Sequence, residues 1–200
     1  MRYINQLEYA HIPYITRTQK EPEEYEKGQK TTIKSSGCGL CSAIMVADRL
    51  LPAYEFELED AIALSYAVEA NHLFGTDYKR FAPAFAQRLQ LKLNMTEDID
   101  EVLECLRTGG AVVAHVGGDR EGHTGVFSHK GHYVAVIDVE ADGRLAVLDP
   151  SYKENKYEEE GRKGKVEVRN QVIALCKPEV LVEDTANRSP HYYLFWRKKA

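Results

Sequence analysis

The chain has 200 residues, of which 44% are hydrophobic and 28% charged, and its formal net charge is −5. This composition predicts one globular domain with a sizeable core, and the acidic balance argues against a nucleic-acid partner. No apolar stretch approaches the ~20 residues of a membrane-spanning helix. The polar N-terminus, MRYINQLEYAHIPY, lacks the apolar region of a secretory signal, which predicts a cytoplasmic location.

Helical patterns predominate in the first half of the chain, after a loose, charged N-terminal arm at residues 1–37. Apolar residues spaced by three and four positions predict helices, and Pro83 weakens one of them. Thr96 is the expected N-cap of the last helix. The predicted helices span 38–51, 58–73, 77–90 and 96–110, and LKLNM at 91–95 is a possible short strand.

Strand patterns predominate after residue 110. The predicted strands span 111–116, 132–140, 144–149, 165–169 and 191–197, and "ADG" predicts a hairpin turn between the second and third. The charged stretch at 151–165 is expected to be an exposed loop. The chain is therefore predicted to be a single α+β domain over 1–200, mainly helical at 38–110 and mainly strands at 111–200, with helices packed on an antiparallel sheet.

The four cysteines fall into two groups. Cys105 and Cys176 have apolar neighbours and are expected to be small core residues. Cys38 and Cys41 form a C-x-x-C pattern, which leaves open a thiol redox protein. No second pair of ligands follows at zinc-finger spacing, so no metal site is predicted there.

Cys38 stands at the start of a predicted helix, between Gly37 and Gly39. The free N–H groups and partial positive charge of a helix N-terminus favour a thiolate and can also bind an oxyanion. The flanking glycines would let the backbone bend and a substrate approach closely. The alternative is that Gly37 only permits a turn and that Cys38 is a buried small residue.

A nucleophilic cysteine needs an imidazole, and the imidazole needs an acceptor that orients it. His132 begins a predicted strand, and an antiparallel hairpin would place Asp149 directly opposite it. His129 is the rival base, three residues away.

The loop before His132 contains several further polar residues that could suggest a metal site, but their spacing fits no standard ligand motif. We interpret this loop as a mobile lid or cleft wall beside His132. The residues concerned are His115, Asp119, Glu121, His123 and His129.

The stretches SSGCGLCSAIMVA and GHYVAVIDVEADGRLAVLDPS together resemble papain-like cysteine peptidases related to the leader-peptide peptidases of bacteriocin exporters. The resemblance spans roughly residues 12 to 152. It implies a papain-like fold with Cys38 as nucleophile, His132 as general base and Asp149 as the orienting residue. It further implies a peptide substrate with small residues near the scissile bond, and neither a metal nor an organic cofactor.

In that family a glutamine about six residues before the cysteine completes the oxyanion hole, and Thr32 occupies this position here. Gln29 is the nearest alternative, and Gln19 and Gln6 lie further back. Gly37, Gly39 and Gly131 are the expected cleft glycines. A papain-like binding protein that lacks activity remains an alternative function.

Overall fold

A computed structural model describes residues 2–15, 31–72 and 75–198 of the chain. Its described strands are β1 (Asn71–His72), β2 (Gly75–Thr76), β3 (Leu91–Thr96), β4 (Ala111–Val116), β5 (His132–Val139), β6 (Leu145–Leu148), β7 (Val166–Arg169), β8 (Ile173–Cys176) and β9 (Tyr192–Arg197). Strands β1 and β2 pair with each other, and the other seven form a central sheet in the order β3-β9-β4-β5-β6-β8-β7, in which every neighbouring pair is antiparallel. The predicted α+β class and antiparallel sheet are confirmed.

The described helices pack on both faces of this sheet. They are α1 (Ile33–Ser36), α2 (Cys38–Leu50), α3 (Leu58–Ala67), α4 (Tyr78–Arg88), α5 (Ile99–Arg107) and α6 (Pro178–Thr185). The strands alternate accordingly: in β4, Ala111 and Val113 join the core under α2, α3 and α4, whereas Val112 and Ala114 join the core under α5 and α6. Since both faces are covered, the central strands are mostly apolar.

Helix boundaries differ from the sequence predictions where local polar groups decide them. The N-cap of α5 is Asp98, whose side chain accepts a hydrogen bond from the Asp100 N–H, and not Thr96. Helix α3 ends at Ala67, short of the predicted residue 73. Helix α4 continues through Pro83, because its buried aromatic face holds it against the sheet. Strand β8 and helix α6 were not predicted.

The prediction of a loose N-terminal arm is wrong for its described parts. Ile4 and Tyr14 are buried in the core, and the Tyr14 N–H donates to the Thr31 carbonyl. Residues Gln6–Glu8 form a 3-10 helix. The Tyr3 hydroxyl donates to the backbone carbonyl of Asp149, so the arm packs against the turn that carries this residue.

The prediction of an exposed loop at 151–165 is also wrong in part. Lys156, Tyr157 and Arg162 are buried, because each has a polar partner inside the fold. The Arg162 Nε donates to the Gly125 carbonyl, while Lys156 pairs with Asp149. A run of charges in a sequence does not reveal which of them will find buried partners.

No helix within the described ranges is both long enough and apolar enough to span a bilayer.

Candidate active site

Cys38 is the first residue of α2 and is half-buried. Gly37 is the N-cap, and a Cβ on it would lie 2.7 Å from the carbonyl oxygen of Ile33. Only glycine therefore permits the tight junction between α1 and α2. This junction places the thiol at the positive end of a thirteen-residue helix.

Gly39 packs closely at the start of α2, and its role in substrate approach stays a prediction. It is buried, and a Cβ there would lie 3.1 Å from Thr76 Cβ and 3.2 Å from the Tyr78 ring. The Tyr78 hydroxyl donates to the Gly39 carbonyl at 3.2 Å. Gly39 thus lets α4 close over the start of α2. Gly131, in contrast, is exposed.

His132 begins β5 and is buried, and its Nε2 lies 2.8 Å from Oδ1 of Asp149. Asp149 directly follows β6 and is fully buried. The structure therefore brings together the imidazole and the carboxylate that the sequence pattern paired.

The predicted hairpin register is wrong, although the contact forms. Val136 pairs with Val147, but a bulge shifts the register so that Asp138 pairs with Ala146. Continued from Val136, this register places Ser151, not Asp149, opposite His132. Asp149 reaches the imidazole along the diagonal of the strand pair, a route available to polar side chains of this length.

Cys38 and His132 perturb each other's protonation. Burial opposes ionisation of the thiol, but the charge and hydrogen bond of His132 outweigh it and lower the pKa of Cys38. The backbone N–H groups of Tyr133 and Gly39 act in the same direction. Burial alone would lower the pKa of His132, yet the Cys38 charge and the Asp149 hydrogen bond raise it to about 9. Both shifts favour a thiolate–imidazolium pair over a neutral thiol and imidazole.

Asp149 accepts five hydrogen bonds, one more than its approximately four lone-pair directions. Oδ1 accepts from His132 Nε2, from the Ser151 N–H at 2.9 Å and from the Ser151 hydroxyl at 3.1 Å. Oδ2 accepts from Lys156 Nζ at 2.5 Å and from the Tyr157 hydroxyl at 2.7 Å. Although burial would raise the pKa of Asp149, Lys156 and His132 hold it well below its usual range. Lys156, Tyr157 and Ser151 were not identified from the sequence.

The rival base His129 does not join this cluster. Its ring nitrogens contact Asp119 at 2.9 Å and Glu159 at 3.1 Å, and its side chain is exposed. His123 Nε2 instead contacts the buried carboxylate of Asp184 at 2.8 Å.

The Asp184 carboxylate also accepts hydrogen bonds from the N–H groups of Val126 and Phe127. His115 stacks on Tyr133 with ring centroids 4.2 Å apart. The segment before His132 is thus fixed by buried contacts of its own. Within residues 2–15, 31–72 and 75–198 no group of three or more potential metal ligands comes together.

Of the glutamines considered for the oxyanion hole, Gln29 and Gln19 lie outside the described residues. Thr32 is the N-cap of α1. Gln6 is buried, and its Nε2 donates to the Lys34 carbonyl at 2.8 Å. Its Oε1 has no hydrogen-bond partner in the described part of the chain. Gln6 thus places its side-chain amide against α1, the short helix that precedes Cys38.

The remaining cysteines are all free and buried. Burial raises the pKa of Cys105 and of Cys176 to about 12. Both lie in the core under α5 and α6, which confirms the prediction. Burial, followed by the charge of Cys38, also raises the pKa of Cys41 above its ordinary value. Cys41 is therefore poorly suited to act as the second thiol of a redox pair.

We expect Cys41→Ala to leave both alkylation of Cys38 and any hydrolytic activity unchanged, since Cys41 lies in the core below the helix start. Alkylation kinetics followed by peptide mass mapping would test this. A 38–41 disulfide that forms under mild oxidation and is needed for activity would contradict the expectation and support the redox alternative.

The architecture, with a cysteine heading a helix that packs on an antiparallel sheet bearing a histidine, is that of the papain-like fold. The chain is similar to a crystal structure of a candidate C39-like peptidase from Bacillus anthracis, with a TM-score of 0.56 and 11% sequence identity. The match covers 100% of this chain and 96% of the other. No protein-family model matches the chain, and no curated protein matches it in sequence. The similarity therefore establishes a C39-like peptidase fold.

Proposed function

We propose that this protein is a cysteine peptidase, or a closely related amide hydrolase, that acts through Cys38, His132 and Asp149. The observation that carries the proposal is the position of His132. One ring nitrogen binds the buried Asp149 carboxylate at 2.8 Å, and the imidazole perturbs the protonation of a cysteine at a helix N-terminus. The C39-like fold supports the same conclusion.

In the proposed reaction the Cys38 thiolate attacks the carbonyl carbon of a peptide bond, and the carbonyl oxygen becomes an oxyanion. As this intermediate collapses, the C–N bond breaks and the His132 imidazolium gives its proton to the leaving amine. The product is a thioester on Cys38. Neutral His132 then removes a proton from water, whose oxygen attacks the thioester, releasing the acid and restoring the thiolate–imidazolium pair.

The Cys38 backbone N–H at the start of α2 is the first proposed oxyanion donor. We assign the second to the side-chain amide of Gln6. One N–H of this amide donates to the carbonyl of Lys34, which stands four residues before Cys38 in the sequence. The second N–H of the same NH₂ group is the proposed donor to the oxyanion.

We expect Gln6→Met to lower kcat by about 10²-fold or more, since one oxyanion donor is removed. Alkylation of Cys38 by iodoacetamide forms no oxyanion and should keep the parent rate. Parallel measurement of peptide cleavage and alkylation checks this. Equal losses in both would indicate a disturbed fold, and a loss in neither would exclude Gln6.

For the substrate we propose a peptide, with small residues near the scissile bond, as in the leader peptidases that the sequence resembles. The test is incubation with a degenerate peptide library, followed by mass spectrometry of the newly formed termini. New termini should appear with the parent protein and be absent with His132→Ala. If the folded parent binds peptides but produces no new termini, the inactive binding protein becomes the better description.

A further inference from the structure

Lys156 is a buried lysine in direct contact with the proposed site. It is 5% exposed, and its Nζ lies 2.5 Å from Asp149 Oδ2 and 2.8 Å from the Ser151 hydroxyl. Placing an ammonium and a carboxylate together in the interior has a large desolvation cost, and apolar pairs of similar size are often at least as stabilising. Stability alone therefore does not account for this pair.

Lys156, Ser151 and the Asp149 carboxylate form a closed ring of hydrogen bonds that meets the imidazole at Nε2. Ser151 Oγ lies 3.1 Å from His132 Nε2, and its hydroxyl donates to Asp149 Oδ1 at the same distance. With Lys156 and the Tyr157 hydroxyl both on Oδ2, the other carboxylate oxygen, Oδ1, is presented to the histidine.

We propose that Lys156 is a positioning residue of this site, which fixes the rotation of the Asp149 carboxylate and offsets part of its charge. The proposal rests on the function proposed above, since it assigns His132 and Asp149 their roles there. Partial neutralisation limits how far Asp149, bonded to Nε2, raises the basicity of the imidazole. The imidazolium can then still release the proton on its other ring nitrogen to a leaving amine.

The sign of the effect follows from the charges. Asp149 and Cys38 raise the pKa of His132, and a positive charge beside Asp149 acts against this rise. Removing the lysine charge should therefore raise the pKa of His132 further. The titratable and charged groups that face this network from the surrounding elements are Tyr3, Cys38, His115, Glu159, Arg162 and Cys176.

The experiment is an NMR titration of the His132 ring in the parent and in two neutral variants. Lys156→Met removes both the positive charge and the hydrogen bond to Asp149 Oδ2, whereas Lys156→Gln keeps a donor to Oδ2 without the charge. We expect the His132 midpoint to rise by about one pH unit in both, given the interaction of unit charges a few ångström apart in a protein. Lys156→Arg should titrate like the parent.

Lys153→Met is the matched control, because Lys153 lies three residues earlier with its side chain 65% exposed. It makes the same change in net charge and should leave the His132 midpoint in place. A midpoint that is unchanged or lowered in a folded neutral variant would overturn the proposal. The titration requires no substrate. Absence of peptide cleavage would therefore count against the proposed function and not against the role of Lys156.

Discussion

Replacing Cys38 with alanine is expected to abolish peptide cleavage and to remove the one thiol that iodoacetamide modifies readily at about pH 6. The thiolate is the reacting species, and alanine offers no alternative nucleophile. What remains is the contribution of binding and of the oxyanion donors, so kcat should fall by about 10⁶-fold.

The pH dependence of this labelling follows from two opposite shifts. The pKa of Cys38 is lowered and that of His132 is raised to about 9, so the ion pair is present between the two values. The alkylation rate should fall as the pH drops through the lowered pKa of Cys38. Above about 9 the imidazolium loses its proton, and the rate should change again.

The buried thiols provide the internal control for this experiment. Cys105 and Cys176, with pKa values raised to about 12, should remain unmodified near neutral pH in the folded protein. The variants Cys105→Ala and Cys176→Ala should keep the labelling of Cys38. Equal labelling of all four thiols, or undiminished cleavage by Cys38→Ala, would show that Cys38 is not the activated nucleophile.

The sequence predicted the features that depend on local pattern. Apolar runs identified β4 and β5, and the glycines around Cys38 located the start of α2. The predicted hairpin placed His132 beside Asp149. The structure shows this contact although the predicted register was wrong, because the Asp149 side chain can reach across the diagonal of the strand pair. Their catalytic roles remain predictions.

The sequence did not predict contacts between distant segments. Gln6 reaches Lys34, and Lys156 turns inward to Asp149, although both stand in stretches whose polarity indicated solvent exposure. Burial of a polar side chain depends on which partner the rest of the fold supplies. Such a partner has no signature in the local sequence.

After Cys38→Ala, the substitution Asp149→Asn should have the largest effect, and it should lower both stability and activity. The buried Lys156 ammonium would lose its carboxylate, which typically costs about 3–5 kcal/mol when a buried pair is broken on one side. The low pKa of Asp149 adds stability above the ordinary carboxyl pKa, and this is lost as the pH falls through the lowered value. The asparagine variant should lack this acid-dependent loss. Thermal unfolding across acidic pH measures both effects.

The loss of activity in Asp149→Asn should depend on Lys156. The ammonium would hold the amide oxygen, turning the amide N–H₂ toward His132 Nε2 and imposing the tautomer that cannot accept a proton from Cys38. We expect a fall in kcat of about 10³–10⁴-fold, as when a triad histidine has the wrong tautomer. In the double variant Asp149→Asn/Lys156→Met, the amide can rotate its oxygen to His132 and donate to Tyr157, and part of the activity should return. A double variant no more active than Asp149→Asn alone would show that the negative charge of Asp149 is needed, and not only its acceptor oxygen.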